Sequence, residues 1–171
     1  MLRVDLRALD EGPIETEGVV AADDPIFADA GFVLAEPVEV RGRLTASGPG
    51  RYYWHGTLRT DVAASCRRCL ADLRVEVAPQ VRALFTEDAS GDDAAAYVVS
   101  PDAVELDLGE MVREELILAV PSFVVCREDC RGFCPRCGKD LNEGPCECRP
   151  EADPRWAKLE ALKQQRSDEG S

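Results

Sequence analysis

The chemistry in this chain is concentrated in its cysteines. Eight are present, six of them within Cys126–Cys148 and two far upstream in Cys66-Arg67-Arg68-Cys69. Thiolates separated by two or three residues can be aimed at one ion by a single turn, which is the ligand pattern of tetrahedral Zn²⁺. Cys134-Pro135-Arg136-Cys137-Gly138-Lys139 is the most specific of these motifs. A glycine just past the second cysteine lets the chain turn so that backbone N–H groups point back at sulfur and stabilise its charge. Eight thiolates suffice for two closed sites of four. One division places Cys134, Cys137, Cys146 and Cys148 together and leaves Cys66, Cys69, Cys126 and Cys130 as the second set. A rival division joins Cys66 and Cys69 to Cys134 and Cys137. Spacing alone keeps both open, and a rubredoxin-like iron centre has the same geometry. Two Zn²⁺ ions are the expectation, because closed four-thiolate sites in the cytoplasm are usually structural zinc.

A closed thiolate shell offers no open coordination position, so zinc-assisted hydrolysis is not indicated. Thiol redox chemistry or metal handling is the alternative for the CxxC pairs, yet neither pair opens a helix in a βαβ pattern. His55 is the sole histidine and falls on the polar face of a strand pattern, with no Ser or Cys nucleophile near it. Glu115 lies beside an apolar helical stripe, where a flanking, solvated carboxylate is the expected role. With no phosphate-binding glycine loop and no triad motif, no catalytic residue is assigned and no enzymatic activity is expected.

The chain has 171 residues, 45% of them apolar, enough for one domain with a small satellite. No apolar run approaches the ~18 residues that would span a bilayer. The opening MLRVDLRALDEGPIETEG alternates charged and apolar residues, unlike a secretory signal, so a cytoplasmic location is expected. A reducing compartment disfavours disulfides and leaves thiolates for metal. The net charge is -13, with 11 basic and 23 acidic residues in 1–125 but 9 against 8 in 126–166. Such acidity argues against broad electrostatic binding of nucleic acid and favours a basic protein partner or simple solubility. Arg67, Arg68, Arg127, Arg131 and Arg136 would form one basic rim if the two cysteine segments met, a candidate RNA contact.

Several elements must position these cysteines. Leu2, Val4 and Leu6 alternate with charge as a short first strand, and 10–36 reads as irregular with short strands at 18–22 and 32–34. Val38, Val40, Leu44 and Ala46 alternate with polar residues, Ser47-Gly48-Pro49-Gly50 supplies a turn, and a second run buries Tyr52, Trp54, Leu58, Val62 and Ala64. This is the pattern of a long antiparallel hairpin. A third run places Leu73, Val75, Val77, Val81 and Phe85 inward, so the CRRC motif falls at a strand-to-strand turn, while Pro79 marks a bulge or an edge. Residues 86–96 read as an acidic loop, 97–99 and 104–106 as short extended pieces. Asp107 with Glu110 suggests a capping box for a helix that buries Leu108, Met111, Val112, Leu116 and Ala119 and stops at Pro121. Asp153 and Pro154 open a C-terminal helix with Trp156, Leu159 and Leu162 on one stripe.

CRRCL at 66–70, EELILAVPSFVVC at 114–126, DCRGFCPRCGKDLNEGPCEC at 129–148 and DPRWAKLEALK at 153–163 together resemble the bacterial YceD family. Its members are described as large ribosomal RNA subunit accumulation proteins. The resemblance is strongest over 62–164 and weak before residue 36. It implies a role in ribosome biogenesis without an established enzymatic activity. Some relatives lack CPxCG yet keep CxRC and a later His/Cys cluster, which implies that Cys66 and Cys69 group with Cys126 and Cys130. The expected fold is therefore α+β: an antiparallel sheet or partly open barrel with a packed helix over 1–125, a zinc module at 126–150 linked through Cys66 and Cys69, and a C-terminal helix and tail at 151–171. The expected role is a non-enzymatic factor that binds a ribosomal protein or large-subunit precursor, with no membrane partner.

Overall fold

A computed structural model describes residues 2–88 and 96–148. The chain divides into two units, Met1–Glu128 and Asp129–Ser171. The described residues of the first unit form nine strands: β1 (Arg3–Asp5), β2 (Ile14–Val20), β3 (Val33–Leu34), β4 (Val38–Ala46), β5 (Arg51–Ser65), β6 (Asp72–Val77), β7 (Gln80–Thr86), β8 (Tyr97–Val98) and β9 (Glu105–Asp107). One helix, α1 (Gly109–Ala119), follows them. β1 and β9 form a two-stranded pair, and the other seven strands form one sheet in the order β2-β4-β5-β7-β8, with β3 and β6 attached to β5. Among the described residues no pairing joins β2 to β8, so the sheet is open and does not close into a barrel.

β5 is the axis of this sheet. Its first half pairs with β4 on one side and β7 on the other, and its second half pairs with β3 and β6. Alternation sends Trp54, Leu58 and Val62 into a core shared with Val38, Val40 and Leu44 of β4 and Val81 and Phe85 of β7. Trp54 is fully buried, and its indole N–H donates to Thr16 Oγ1 at 2.8 Å. Gly42 and Gly56 make room for the ring: a Cβ at Gly42 would collide with the indole, and one at Gly56 with both the indole and the Arg41 carbonyl. The glycine that interrupts the apolar face of β4 is thus a seat for tryptophan.

The stretch expected to be irregular with short strands at 18–22 and 32–34 contains β3 within the second of these and, overlapping the first but starting four residues earlier, the seven-residue β2, paired with β4 from Ile14↔Leu44 to Val20↔Val38. Its inward positions include Thr16 and Gly18, which dilute the apolar alternation that reveals a strand. Pro79 creates no bulge. The register passes from Thr60↔Val77 to Thr57↔Gln80 without an inserted residue, and among the described residues β6 pairs with β5 alone, so the proline follows an edge strand, where its missing donor is tolerated. α1 buries Met111, Val112 and Leu116, with Leu108 before it. The capping box is not formed: Leu108 is the N-cap and gives no side-chain bond, while Asp107 belongs to β9 and its carboxylate accepts from Gly109 N at 2.8 Å. Glu115 is half-buried, and burial followed by the Glu114 charge raises its pKa. The expected C-terminal helix and most of the acidic loop fall outside the described residues.

Candidate metal centre

The hairpin β5–β6 ends at Ser65↔Asp72, and the six residues between them carry Cys66 and Cys69. Cys66 N donates to Ala71 O at 2.8 Å, and Leu70 N to Cys66 O at 2.9 Å, closing a knuckle. α1 delivers the other side. After Val120 the chain runs extended, and Arg67 N donates to Val124 O at 2.9 Å, which brings Cys126 beside the knuckle. Cys69 Sγ and Cys126 Sγ lie 3.6 Å apart. Zn–S bonds of about 2.3 Å in a tetrahedron place sulfurs roughly 3.8 Å apart, so this separation fits two ligands of one ion and is far too long for a disulfide.

The sulfurs fall into two groups of four, each within 4.8 Å of one another: Cys66, Cys69, Cys126 and Cys130, and Cys134, Cys137, Cys146 and Cys148. Cys134 and Cys137 group with their near neighbours in sequence, and not with Cys66 and Cys69. In the first group only Cys126 is exposed; in the second Cys134 is buried and Cys137 exposed. The donor set is chemically suited to a soft or borderline ion in a closed shell.

Backbone dipoles prepare these sulfurs for negative charge. Burial pushes the Cys66 thiol up, but N–H groups from Cys126, Cys69 and Arg68 outweigh it and hold the thiol at about 6. Two of these donors lie at 3.4 Å, Arg68 N and Cys126 N. Cys134 is likewise held at about 6, first by the N–H groups of Cys137 and Arg136 and then by the Cys146 thiol. Cys148 is pushed up to about 12, because it donates to Cys137, is desolvated and faces the Cys134 sulfur. Within the second group one thiol is thus lowered and another raised, an unequal sharing of protons that a divalent cation would resolve.

In the second unit Phe133 and Asp140 form an isolated bridge around the Cys134 knuckle, with Cys134 N donating to Lys139 O and Gly138 N to Cys134 O, both at 2.9 Å. Asn142 is the residue that sequence reasoning passed over. Its amide donates to Cys130 Sγ at 3.7 Å and to Asp140 Oδ1 at 2.7 Å, and its oxygen accepts from Arg131 N at 2.9 Å. It orients a candidate ligand in the manner of an outer-shell residue. The signal was the short Asp140-Leu141-Asn142 run just past CPRCGK, a side-chain pattern that favours local turns. The arginines near the knuckle have structural duties: Arg67 Nη2 donates to Ser122 O at 3.1 Å and Arg68 Nη1 to Glu128 O at 2.9 Å.

Comparison with known proteins places the cysteine-bearing part of the chain in a family. The family profile described as Large ribosomal RNA subunit accumulation protein YceD matches residues 54–163, a span that contains both sulfur groups. An uncharacterized protein of Mycobacterium tuberculosis is 34% identical over 110 residues, 61% of this chain and 52% of its own. The uncharacterized protein YlbN of Bacillus subtilis is 30% identical over 135 residues, 75% of this chain and 76% of its own. The chloroplastic large ribosomal RNA subunit accumulation protein YCED homolog 1 of Arabidopsis thaliana is 32% identical over 66 residues, 38% of this chain and 21% of its own. The chain spans about half the length of the first of these relatives. No solved structure matches it. With well over half of its length matched by the family profile, this chain belongs to the YceD family of large ribosomal RNA subunit accumulation proteins.

Proposed function

We propose that this chain is a non-enzymatic ribosome biogenesis factor of the cytoplasm that supports accumulation of large-subunit ribosomal RNA by binding a ribosomal protein or precursor particle. The family match across residues 54–163 carries this reading. Each sulfur group holds one Zn²⁺, through Cys66, Cys69, Cys126 and Cys130 and through Cys134, Cys137, Cys146 and Cys148. The ions serve as staples: bound there, zinc neutralises thiolate charge and fixes turns that few buried side chains would otherwise hold. RNA contact through Arg67, Arg68, Arg127, Arg131 and Arg136 belongs to the same proposal. In this structure Arg67 and Arg68 also donate to the Ser122 and Glu128 carbonyls.

The alternative, a thiol redox or metal-handling protein, draws on the lowered pKa of Cys66 and Cys134. Both thiols are buried, however, which suits a ligand better than an exchanging thiol. The test is depletion of the protein followed by measurement of ribosomal RNA. Large-subunit RNA should fall relative to small-subunit RNA and recover with the wild-type gene; unchanged levels would overturn the proposal.

A further inference from the structure

The solvent face of the central strands differs in character from the rest of this acidic chain. Register sets its outward side chains in three rows: Thr45–Tyr53–Leu84, Arg43–His55–Arg82 and Arg41–Thr57–Gln80. None of these positions is acidic, in a chain with 33 Asp+Glu against 20 Lys+Arg. The Tyr53 and His55 rings stack, with centroids 6.0 Å apart and planes at 27°. Arg82 is exposed and forms no ion pair among the described residues. Arg43 pairs with Glu15, and Arg41 with Glu17 and Glu39. These partners are at least half exposed and hold weakly in water, so a phosphate can replace a carboxylate.

We propose that this face binds single-stranded RNA, with bases stacking on Tyr53 and His55 and phosphates meeting Arg82, Arg43 and Arg41. The inference rests on the reading that the protein works on large-subunit ribosomal RNA, and it names the surface. Aromatic rings on an open sheet give unpaired bases a π-face, whereas a duplex keeps its bases stacked on one another. Glu15 and Glu17 on β2 and Glu39 at the start of β4 repel a wide polyanion and direct a single strand towards Arg82 on β7. Arg41 and Arg43 are matched by carboxylates, so Arg82, which has no ion pair among the described residues, is the cation left to meet a phosphate beside the stacked rings.

The test is fluorescence anisotropy of the full chain with a short labelled single-stranded RNA and with the same sequence as a duplex, across a salt series. The single strand should bind more tightly than the duplex. Tyr53→Leu and His55→Ala should each weaken binding about five- to a hundredfold, and Tyr53→Phe should retain it. Arg82→Ala should make the dependence of log affinity on log salt shallower by about 0.7. Duplex preference, or equal binding by all variants, overturns the proposal, as does retention of a basic ribosomal protein on this face in place of RNA. In depleted cells, failure of the wild-type gene to restore large-subunit RNA refutes the biogenesis role. Full restoration by a Tyr53→Leu/Arg82→Ala gene that also binds RNA normally refutes only this surface.

Discussion

Separate substitution of one cysteine from each group decides whether the eight thiols form two independent metal sites. If they do, purified protein should carry two ions, Cys66→Ser one, Cys134→Ser one, and the double variant none. The consequences should differ by region. In the described part of the second unit only Cys130, Gly132 and Cys134 are buried, and the one bridge is Phe133↔Asp140. Fixing a backbone residue costs about 1–2 kcal/mol, so these few contacts cannot order some twenty residues unaided. A structural zinc ion supplies about 10–16 kcal/mol, which is of the needed size. Cys134→Ser should therefore abolish amide protection across 132–148 in hydrogen exchange, beyond the Cys130 ligand of the other ion. Strands β4, β5 and β7 should keep theirs, since their core of Trp54, Leu44, Leu58 and Val81 contains no cysteine. Native mass spectrometry gives the ion count. A double variant that still holds one ion would mean that both single changes emptied the same site, and would establish the rival grouping of Cys66 and Cys69 with Cys134 and Cys137.

Asn142→Ala removes the amide that donates to Cys130 Sγ and should speed release of one of the two ions to a chelator about 10–100-fold while leaving the other unchanged; equal release of both would refute the orienting role. Thr16→Val strands the buried Trp54 N–H and should lower stability to urea by about 1–3 kcal/mol, with Thr16→Ser recovering most of the loss. In the metal-free protein, ultraviolet thiolate absorbance should show an early step near pH 6 from Cys66, whose knuckle is fastened to the sheet, and absence of any step below the usual thiol range would refute that prepared site. The sign follows from linkage: thiols lowered to about 6 stabilise the fold above the unfolded cysteine range and lose that contribution as pH falls towards 6. Cys148, pushed up to about 12, contributes below that range and loses its contribution as pH rises through about 12.

The hairpin β4–β5 was legible because Val38, Val40 and Leu44 alternate cleanly and Ser47–Gly50 can only turn. β2 was legible only in its last residues, because its earlier inward residues answer to a tertiary partner: Thr16 is there for the Trp54 N–H, and Gly18 for the Leu2 side chain, which a Cβ would strike. The helix was legible from Leu108, Met111, Val112 and Leu116, whereas its cap was misplaced by one position because Asp107 had a strand to complete. At the candidate centre, spacing singled out the cysteines but left their grouping open. The grouping depends on Val124 reaching Arg67 after the helix stops, a long-range bond that no local pattern encodes. Asn142 escaped for the same reason, since its partner Cys130 lies across a turn whose geometry the sequence does not display.

The two knuckles reveal how unequally they are held. Leu70 N bonds Cys66 O as Gly138 N bonds Cys134 O, both at 2.9 Å, and both residues have positive φ, 57° and 71°. Glycine adopts this conformation freely, while leucine gives up about 1–2 kcal/mol to do so. Strain of that size persists only where surroundings over-determine the backbone. At the CRRC turn they do: Arg67 N is bound to Val124 O, Cys126 N points at Cys66 Sγ, and the turn closes the end of the longest strand. At CPRCGK the fastening is local, through Lys139 O and the Phe133↔Asp140 bridge. A sheet-anchored knuckle can bear a strained leucine and spend that side chain on the surface, where Leu70 is 67% exposed. Among the described residues of its own unit the second knuckle has only the Phe133↔Asp140 bridge, and it depends on glycine and on what its four sulfurs hold.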